Sequence, residues 1–400
     1  MTYDVAAVRA EFPALAEGAA HFDGPGGSQT PAAVAQVVAD TLRSAVANRG
    51  TMTTAERRAE EIVVAARTAA ADLVGGTAGG IVFGRSMTQL TYDFARALAK
   101  QWGPGDEVVV TRIDHDANIR PWVHAATAAG ATVRWADFDP ASGVLSVADV
   151  EAVLSPRTRL VAVTGAANLL GSRPDVPAIA AAARSVTALT YVDGVHLTPH
   201  DVVSVADLGV DFFACSPYKF LGPHLGFLHA GPELLEAVHP DKLAPMPDTV
   251  PGRFELGTLP YELLAGTTAA IDFLAGLVPS TGPRRARLVA SMTALDKHEA
   301  VLLDRLERGL AAIPGVTRYG DPARRRTPTT LFSVDGITPA QVYQGLAERG
   351  VNAPAGTFYA VECATRLGLG TTGAVRAGIA PYTDESDVDR LVAGVAELAG

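Results

Sequence analysis

The stretch YVDGVHLTPHDVVSVADLGVDFFACSPYKFLGPHLGF, Tyr191 to Phe227, holds two short apolar runs, each ending in polar groups. The first delivers Asp193. The second, Asp211 to Cys215, leads into a loop that sets Lys219 among Ser216, Pro217, Tyr218, Gly222 and Pro223. A lysine so enclosed is oddly sited for a solubilising charge and well sited for a covalent cofactor. Pyridoxal 5'-phosphate (PLP) requires a lysine amine for its Schiff base and an acid that keeps its ring nitrogen protonated. A strand-end aspartate and a loop lysine with no shared role account for the pair equally well, so the flanking chain has to decide.

Working upstream, apolar runs of four to six residues alternate with helical patterns. Leu189–Val192 is the strand that delivers Asp193, and Pro177–Ser185 before it is helical. Leu160–Thr164 ends in Gly165-Ala166-Ala167-Asn168, and Thr132–Ala136 reads as a further strand. Glu107–Thr111 runs into the polar cluster Asp114-His115-Asp116-Ala117-Asn118. A short strand from Ile81 is followed by Ser86, Met87 and Thr88, which open a helix. Backbone N–H groups there, with the Ser86 and Thr88 hydroxyls, would cradle a phosphate; simple capping by Ser86 explains the same residues. This alternation specifies a largely parallel α/β sheet with helices on both faces, and polar strand ends in such sheets converge on one ligand site. Further upstream, the glycines of Phe22-Asp23-Gly24-Pro25-Gly26-Gly27 allow close backbone approach, and residues 1–17 read as an amphipathic helix through Val5, Val8, Phe12 and Leu15.

Downstream, Gly226–His229 is a strand of undetermined direction. Arg253–Thr258 precedes a helix from Tyr261 to Leu277, and a long charged helix runs from Pro283 to about Ile313. Strands Val316–Tyr319, Thr329–Val334 and Val375–Ile379 then alternate with helices Pro339–Arg349 and Glu385–Ala399. The expected organisation is a large unit over 18–280, and a smaller α+β unit from 1–17 with 281–400. The basic run Arg324-Arg325-Arg326 reads as a solvated loop.

A formal net charge of −10 argues against a nucleic-acid binder, whose surface needs clustered Lys and Arg. Two cysteines make no disulfide framework, and no Cys/His spacing suggests a metal site. No stretch approaches the ~20 apolar residues of a membrane span, and the N-terminus lacks the apolar core of a signal peptide. A cytoplasmic enzyme working on a small molecule is the expectation.

The ordered set Asn168, Asp193 with His196, Ser216 with Lys219, Arg253–Thr258 and Arg376 resembles fold-type I PLP enzymes of the class-V aminotransferase group, in particular the cysteine desulfurase-like proteins. It is most similar to a subfamily with FDGPGG, DHDAN and GxFYA segments, the last here Gly356-Thr357-Phe358-Tyr359-Ala360. The resemblance implies that Lys219 carries PLP and shuttles protons, and that Asp193 pairs with the ring nitrogen. Asn168 and His196 would lie near the ring and its phenolic oxygen. Ser86, Met87, Thr88, Ser216 and Tyr218 would belong to the cofactor site. Gly257 and Thr258 would reach the cofactor of a partner subunit, making a homodimer. Arg376, with Ser28, Asn168 and Thr357, would hold the amino-acid substrate.

Two departures bear on the chemistry. Where desulfurases stack a histidine on the ring, this chain has Asp116, with His115 one residue earlier; a one-residue slip would restore His115 to that place. An aspartate there would act as an acid/base or contact a substrate amine. The loop that carries the sulfur-accepting cysteine in desulfurases reads Ala353-Pro354-Ala355-Gly356-Thr357 here, without cysteine. Cys363, grouped by helical spacing with Tyr359 and Leu367, is expected to be buried, as is Cys215. The leading expectation is a PLP-dependent lyase that cleaves the Cβ–S bond of cysteine or a cysteine conjugate. The alternatives are an epimerase or aminotransferase acting at Cα, a true desulfurase using Cys363, and a regulatory PLP-binding protein.

Overall fold

The computed structural model describes residues 3–400. The first two residues of the expected N-terminal helix lie outside that range. The remainder forms a helix over Val5–Ala10, capped by Asp4, and then a 3-10 turn over Pro13–Glu17. The strands in chain order are β1 (Ala20–His21), β2 (Ile81–Gly84), β3 (Glu107–Thr111), β4 (Thr132–Ala136), β5 (Thr158–Thr164), β6 (Leu189–Asp193) and β7 (Phe212–Cys215). They continue with β8 (Gly226–Ala230), β9 (Val316–Tyr319), β10 (Thr329–Val334), β11 (Val351–Asn352), β12 (Ala355–Gly356) and β13 (Ala374–Gly378).

Seven of them make the large sheet, in the order β2-β8-β7-β6-β5-β3-β4. Strands β4, β3, β5, β6 and β7 pair in parallel, while β8 runs antiparallel to both β7 and β2. That settles the direction of Gly226–His229, and the reason is local. The Ser216–Leu225 loop between β7 and β8 is too short for the helical crossover that parallel pairing requires. Because both faces are covered, the strands are continuous apolar runs whose alternate residues feed two separate cores. Ile81, Phe83, Val109, Val161, Val192 and Phe213 enter one core. Val82, Val108, Val110, Leu160, Tyr191 and Phe212 enter the other.

The smaller sheet has the order β12-β13-β10-β9 and is antiparallel throughout. The hydrophobic clusters do not follow the expected boundaries. Strand β1 pairs in parallel with β11, and Ala20 and Phe22 pack in the core of the small sheet. The helix Arg284–Ala311 serves both units: Leu288, Met292 and Leu295 join the large core, whereas Leu302, Leu306 and Leu310 join the small one. Arg326 is not solvated as expected. Its side chain is 5% exposed and pairs with Glu307, which also receives Arg318 and the Thr330 hydroxyl. Arg324 and Arg325 stay exposed. Among the described residues no helix is long and apolar enough to cross a membrane.

Topology places the carboxyl ends of β3, β5, β6 and β7 along one edge of the large sheet. Strand β2 is parallel to β7 through β8, so its end lies there too. The start of β8 closes on the same edge. A Cβ on Gly226 would come within 2.2 Å of the Ser86 carbonyl carbon and 2.3 Å of Met87 N, so only glycine lets the helix Met87–Ala99 begin there.

Candidate active site

At that edge lies a cavity of about 460 Å³, within the usual range for small-molecule sites. One wall is made of strand ends and the loops behind them. The opposite wall comes from Pro354, Phe358, Tyr359 and Arg376 of the small unit, and Asp23 and Pro25 of the glycine-rich segment close the floor.

Lys219 follows β7 in a 3-10 turn, and its Nζ donates to the Pro25 carbonyl. Burial, then the nearby Arg376 charge, push its amine down to about 7, opposed by Asp23 and Asp193. A substantial neutral fraction at neutral pH is what attack on a carbonyl requires. The loop is held by Ser28, whose Oγ donates to the Tyr218 carbonyl at 3.1 Å and accepts from Leu221 N at 2.8 Å. Leu221 has φ +72°, and this hydrogen bond satisfies its strained peptide. Ser28 is therefore a brace for the lysine loop and does not line the cavity, contrary to its expected place beside the substrate.

Asp193 ends β6. One carboxylate oxygen accepts from Val195 N at 2.9 Å, and burial raises the group to about 6 although Val195 and Lys219 pull it down. An acid in low dielectric with one oxygen spoken for is suited to pairing with a buried cation. His196 is also buried, and its Nε2 lies 2.9 Å from Thr327 Oγ1 and 3.0 Å from Thr329 Oγ1. Burial holds it well below the usual histidine range, so it is neutral. Asn168 donates through Nδ2 to the Phe358 carbonyl at 2.9 Å and leaves its Oδ1 buried without a partner.

Arg376, on β13, is buried to 2% exposure. It donates to Asp23 Oδ1 at 3.0 Å and to the Asn168 carbonyl at 3.2 Å, and its Nε has no partner. Its guanidinium carbon sits 3.8 Å from the centre of the Phe358 ring. Phe358 and Tyr359 have φ of +50° and +58°, the left-handed region that costs a non-glycine residue about 1–2 kcal/mol each. Both are pinned: Phe358 O accepts from Asn168, and Tyr359 O accepts from Asp116 N at 2.7 Å.

The loop after β3 is anchored by buried Asp114, which accepts from Thr111 Oγ1, from Asn118 Nδ2 at 2.6 Å and from Thr164 N at 3.0 Å. His115 and Asp116 then both line the cavity, but differently. The His115 ring is the more enclosed and lies 5.6 Å from the Tyr359 ring. Burial and the charges of Lys219 and Arg376 lower it to about 4. Its Nδ1 accepts from Ala117 N at 3.0 Å, leaving the proton on Nε2. Asp116 instead stands beside Arg120, its buried Oδ1 2.8 Å from Arg120 Nε but outside hydrogen-bond geometry; Arg120 also donates to Glu362 at 2.6 Å.

Met87, Thr88, Ser216 and Tyr218 also line the cavity, but four other residues named from the sequence do not. The Ser86 hydroxyl is taken up as the helix cap, accepting from Gln89 N at 3.1 Å. Thr357 is absent from the lining, and its carbonyl accepts from Ala360 N at 2.8 Å. Gly257 and Thr258 are exposed: Glu255 is anchored by Arg67 at 2.6 and 2.8 Å, and the chain then turns out to solvent at Leu256. Conversely, Tyr92 and Arg120 line the cavity outside every noted motif, and Asp23, Phe358 and Tyr359 line it from the FDGPGG and GxFYA segments without having an individual place in the expected site. Cys363 lies fully buried on the helix Val361–Arg366, which begins after Tyr359, so the two share no helical face. Burial raises its thiol strongly, and raises that of Cys215 to about 12. Neither lines the cavity.

These residues fit PLP. A depressed lysine amine and a buried carboxylate face one cavity, orphaned polar atoms on Asn168 and Arg376 point to a missing polar partner, and the Met87–Ala99 helix starts at the cavity wall over a glycine, as anion binding requires. Comparison with known proteins agrees. The family model described as "Aminotransferase class-V" matches residues 20–391. An uncharacterised protein of Mycobacterium tuberculosis is 35% identical over 401 residues, covering 100% of both chains. A cysteine desulfurase of Pectobacterium carotovorum is 30% identical over 419 residues, covering 100% of this chain and 98% of its own. The solved structure of the cysteine desulfurase CsdA of Escherichia coli, in an S-sulfonic acid form, superposes with a TM-score of 0.88 at 27% identity over 100% of each chain. The chain therefore belongs to the class-V aminotransferase family, as a PLP-dependent enzyme of fold type I related to the cysteine desulfurases.

Proposed function

We propose that the protein is a lyase that cleaves the Cβ–S bond of cysteine or a cysteine conjugate. The observation that carries this reading is the burial of both cysteines away from the cavity, with thiols raised far above neutral pH. The cavity offers a base and a carboxylate clamp but no thiolate to accept sulfur. With water as co-reactant, an S-substituted cysteine then gives the free thiol, pyruvate and ammonia, and cysteine itself gives sulfide.

When bound, PLP supplies an electron sink for the pair released at Cα. Lys219, near pH 7 in its proton affinity, anchors the cofactor and takes the proton from Cα. Asp193 holds a proton at the ring nitrogen through its charge. Arg376 binds the substrate carboxylate with its planar fork, exchanging its contact with Asp23 for the new one. Asn168, with its unpartnered Oδ1, and His196 would help hold the cofactor. The deeper burial of His115 favours it over Asp116 as the ring's neighbour. Gly257 and Thr258, exposed beside Leu256 at 57% exposure, fit a surface that a second copy covers in a homodimer.

The test is a product assay with cysteine and S-methylcysteine. Thiol or sulfide with stoichiometric pyruvate supports elimination. Alanine with sulfur retained on Cys363 overturns it in favour of desulfuration, and deuterium wash-in at Cα without loss of the side chain overturns it in favour of Cα chemistry.

A further inference from the structure

The charged side chains around the cavity are already matched in sign. Asp23 pairs with Arg376 and Asp116 with Arg120, while Asp193 and Lys219 face each other across the cofactor space. His115 and His196 are neutral. A substrate's own carboxylate engages Arg376. A second charge, at the end of the side chain, would meet Arg120 only by displacing both Asp116 and Glu362. Glu362 also receives Arg112 at 2.7 Å, so two guanidiniums face two carboxylates there and the mouth is electrically neutral, walled by aromatic rings.

Among these rings Tyr359 is distinctive. It is 74% exposed, yet it lines the cavity and faces His115. An open aromatic ring at a cavity wall offers apolar area that a bound group can cover. Its place is not a matter of loop mobility. Consecutive left-handed residues aim Phe358 inward onto Arg376 and leave Tyr359 over the rim, and hydrogen bonds to Asn168 and Asp116 fix both peptides.

We propose that Tyr359 selects substrates whose side chain ends in a neutral apolar group, such as an S-alkyl or S-aryl cysteine, over cysteine itself and over acidic conjugates. The group leaves the reacting centre past His115 and packs on the Tyr359 ring, gaining burial that cysteine does not offer. The inference narrows the lyase reading to one substrate class, and it rests on that reading for turnover but not for binding.

Two measurements on the PLP-loaded protein separate the claims. In the first, kcat/KM is compared for S-benzyl-, S-methyl- and S-carboxymethylcysteine. The benzyl conjugate should exceed the methyl one by about tenfold and the carboxymethyl one by more. Tyr359→Ala should lower the benzyl value about tenfold more than the methyl value, and Tyr359→Phe should restore the preference. In the second, phenylalanine, alanine and aspartate, which carry no sulfur leaving group, are titrated against the visible absorption of bound PLP. Phenylalanine should bind most tightly, through Tyr359. Equal kcat/KM across the conjugates, or a preference untouched by Tyr359→Ala, overturns the selection while leaving elimination standing. No thiol release from any conjugate, with phenylalanine binding still dependent on Tyr359, overturns elimination while the selection stands.

Discussion

The two walls of the cavity are built on different principles. The strand-end wall carries Asp193, Lys219 and Asn168 at the edge of a sheet buried on both faces, so backbone pairing sets their positions. The facing wall carries Arg376 on a short antiparallel sheet, while Phe358 and Tyr359 sit on a strained turn whose carbonyls accept from the Asn168 side chain and the Asp116 backbone N–H. The first wall decides what chemistry is available, since it shifts the proton affinities of lysine and aspartate toward each other. The second decides what enters. Substitutions on the first should change whether the reaction occurs, and on the second should change which substrate reacts.

The sharpest way to break that division is Lys219→Ala. It should abolish the visible absorption of lysine-linked PLP and lower kcat/KM by at least ~10³-fold, the upper range for losing a proton-transfer group. Retained absorption would remove the first wall from the chemistry altogether. A second probe follows the pH at which the apoprotein captures PLP. Only the neutral amine attacks, so capture should rise with pH and reach half its limit near 7, where Lys219 titrates. An ordinary lysine would respond near ~10.4. Stopped-flow absorbance reads this directly, and a midpoint above 9 would deny the effect of burial and Arg376.

On the second wall, Arg376→Lys keeps the charge but loses the fork. It should cost about 10- to 100-fold in kcat/KM, carried mostly by KM, as expected for a charge-assisted pair worth about 1.5–3 kcal/mol. A loss confined to kcat would move Arg376 into the chemical wall. The smallest effect is expected from Ser28→Ala, because Ser28 braces the Lys219 loop from outside the cavity. Thermal unfolding should show a loss of about 1 kcal/mol, with kcat/KM within about threefold of the parent. A large rise in KM would restore Ser28 to the substrate site.

The contrast between the walls also explains what could be read from the chain alone. The strand-end wall was legible because apolar runs terminating in Asp193, Asn168 and the Lys219 loop announce both the sheet and the edge where its polar ends collect. Hydroxyls near helix starts were harder. Ser86 and Ser28 carry the same chemistry whether they bind a ligand, cap a helix or brace a turn, and only their neighbours decide. The facing wall was poorly legible. Helical spacing groups Tyr359 with Cys363, but the helix begins only at Val361, after two left-handed residues. Positive φ at Phe358 and Tyr359 is imposed by tertiary hydrogen bonds and leaves no mark on composition or period. Asp23 was hidden in a segment noticed for its glycines. The two-residue strands β1 and β11 were too short to show a period, which is why Ala20 and Phe22 were assigned to the large unit although they pack in the small one.

In the proposed elimination, sulfur leaves the substrate without passing through a cysteine of this chain. The most direct measurement is turnover of cysteine and S-methylcysteine by the cysteine-free variant Cys215→Ala/Cys363→Ala, normalised to its PLP absorption so that any loss from core truncation is counted separately. The expected products are pyruvate and thiol or sulfide in equal amounts, at a kcat/KM per loaded site within about threefold of the parent. Full PLP loading with sulfur release abolished would contradict elimination and would make one of the two cysteines the acceptor.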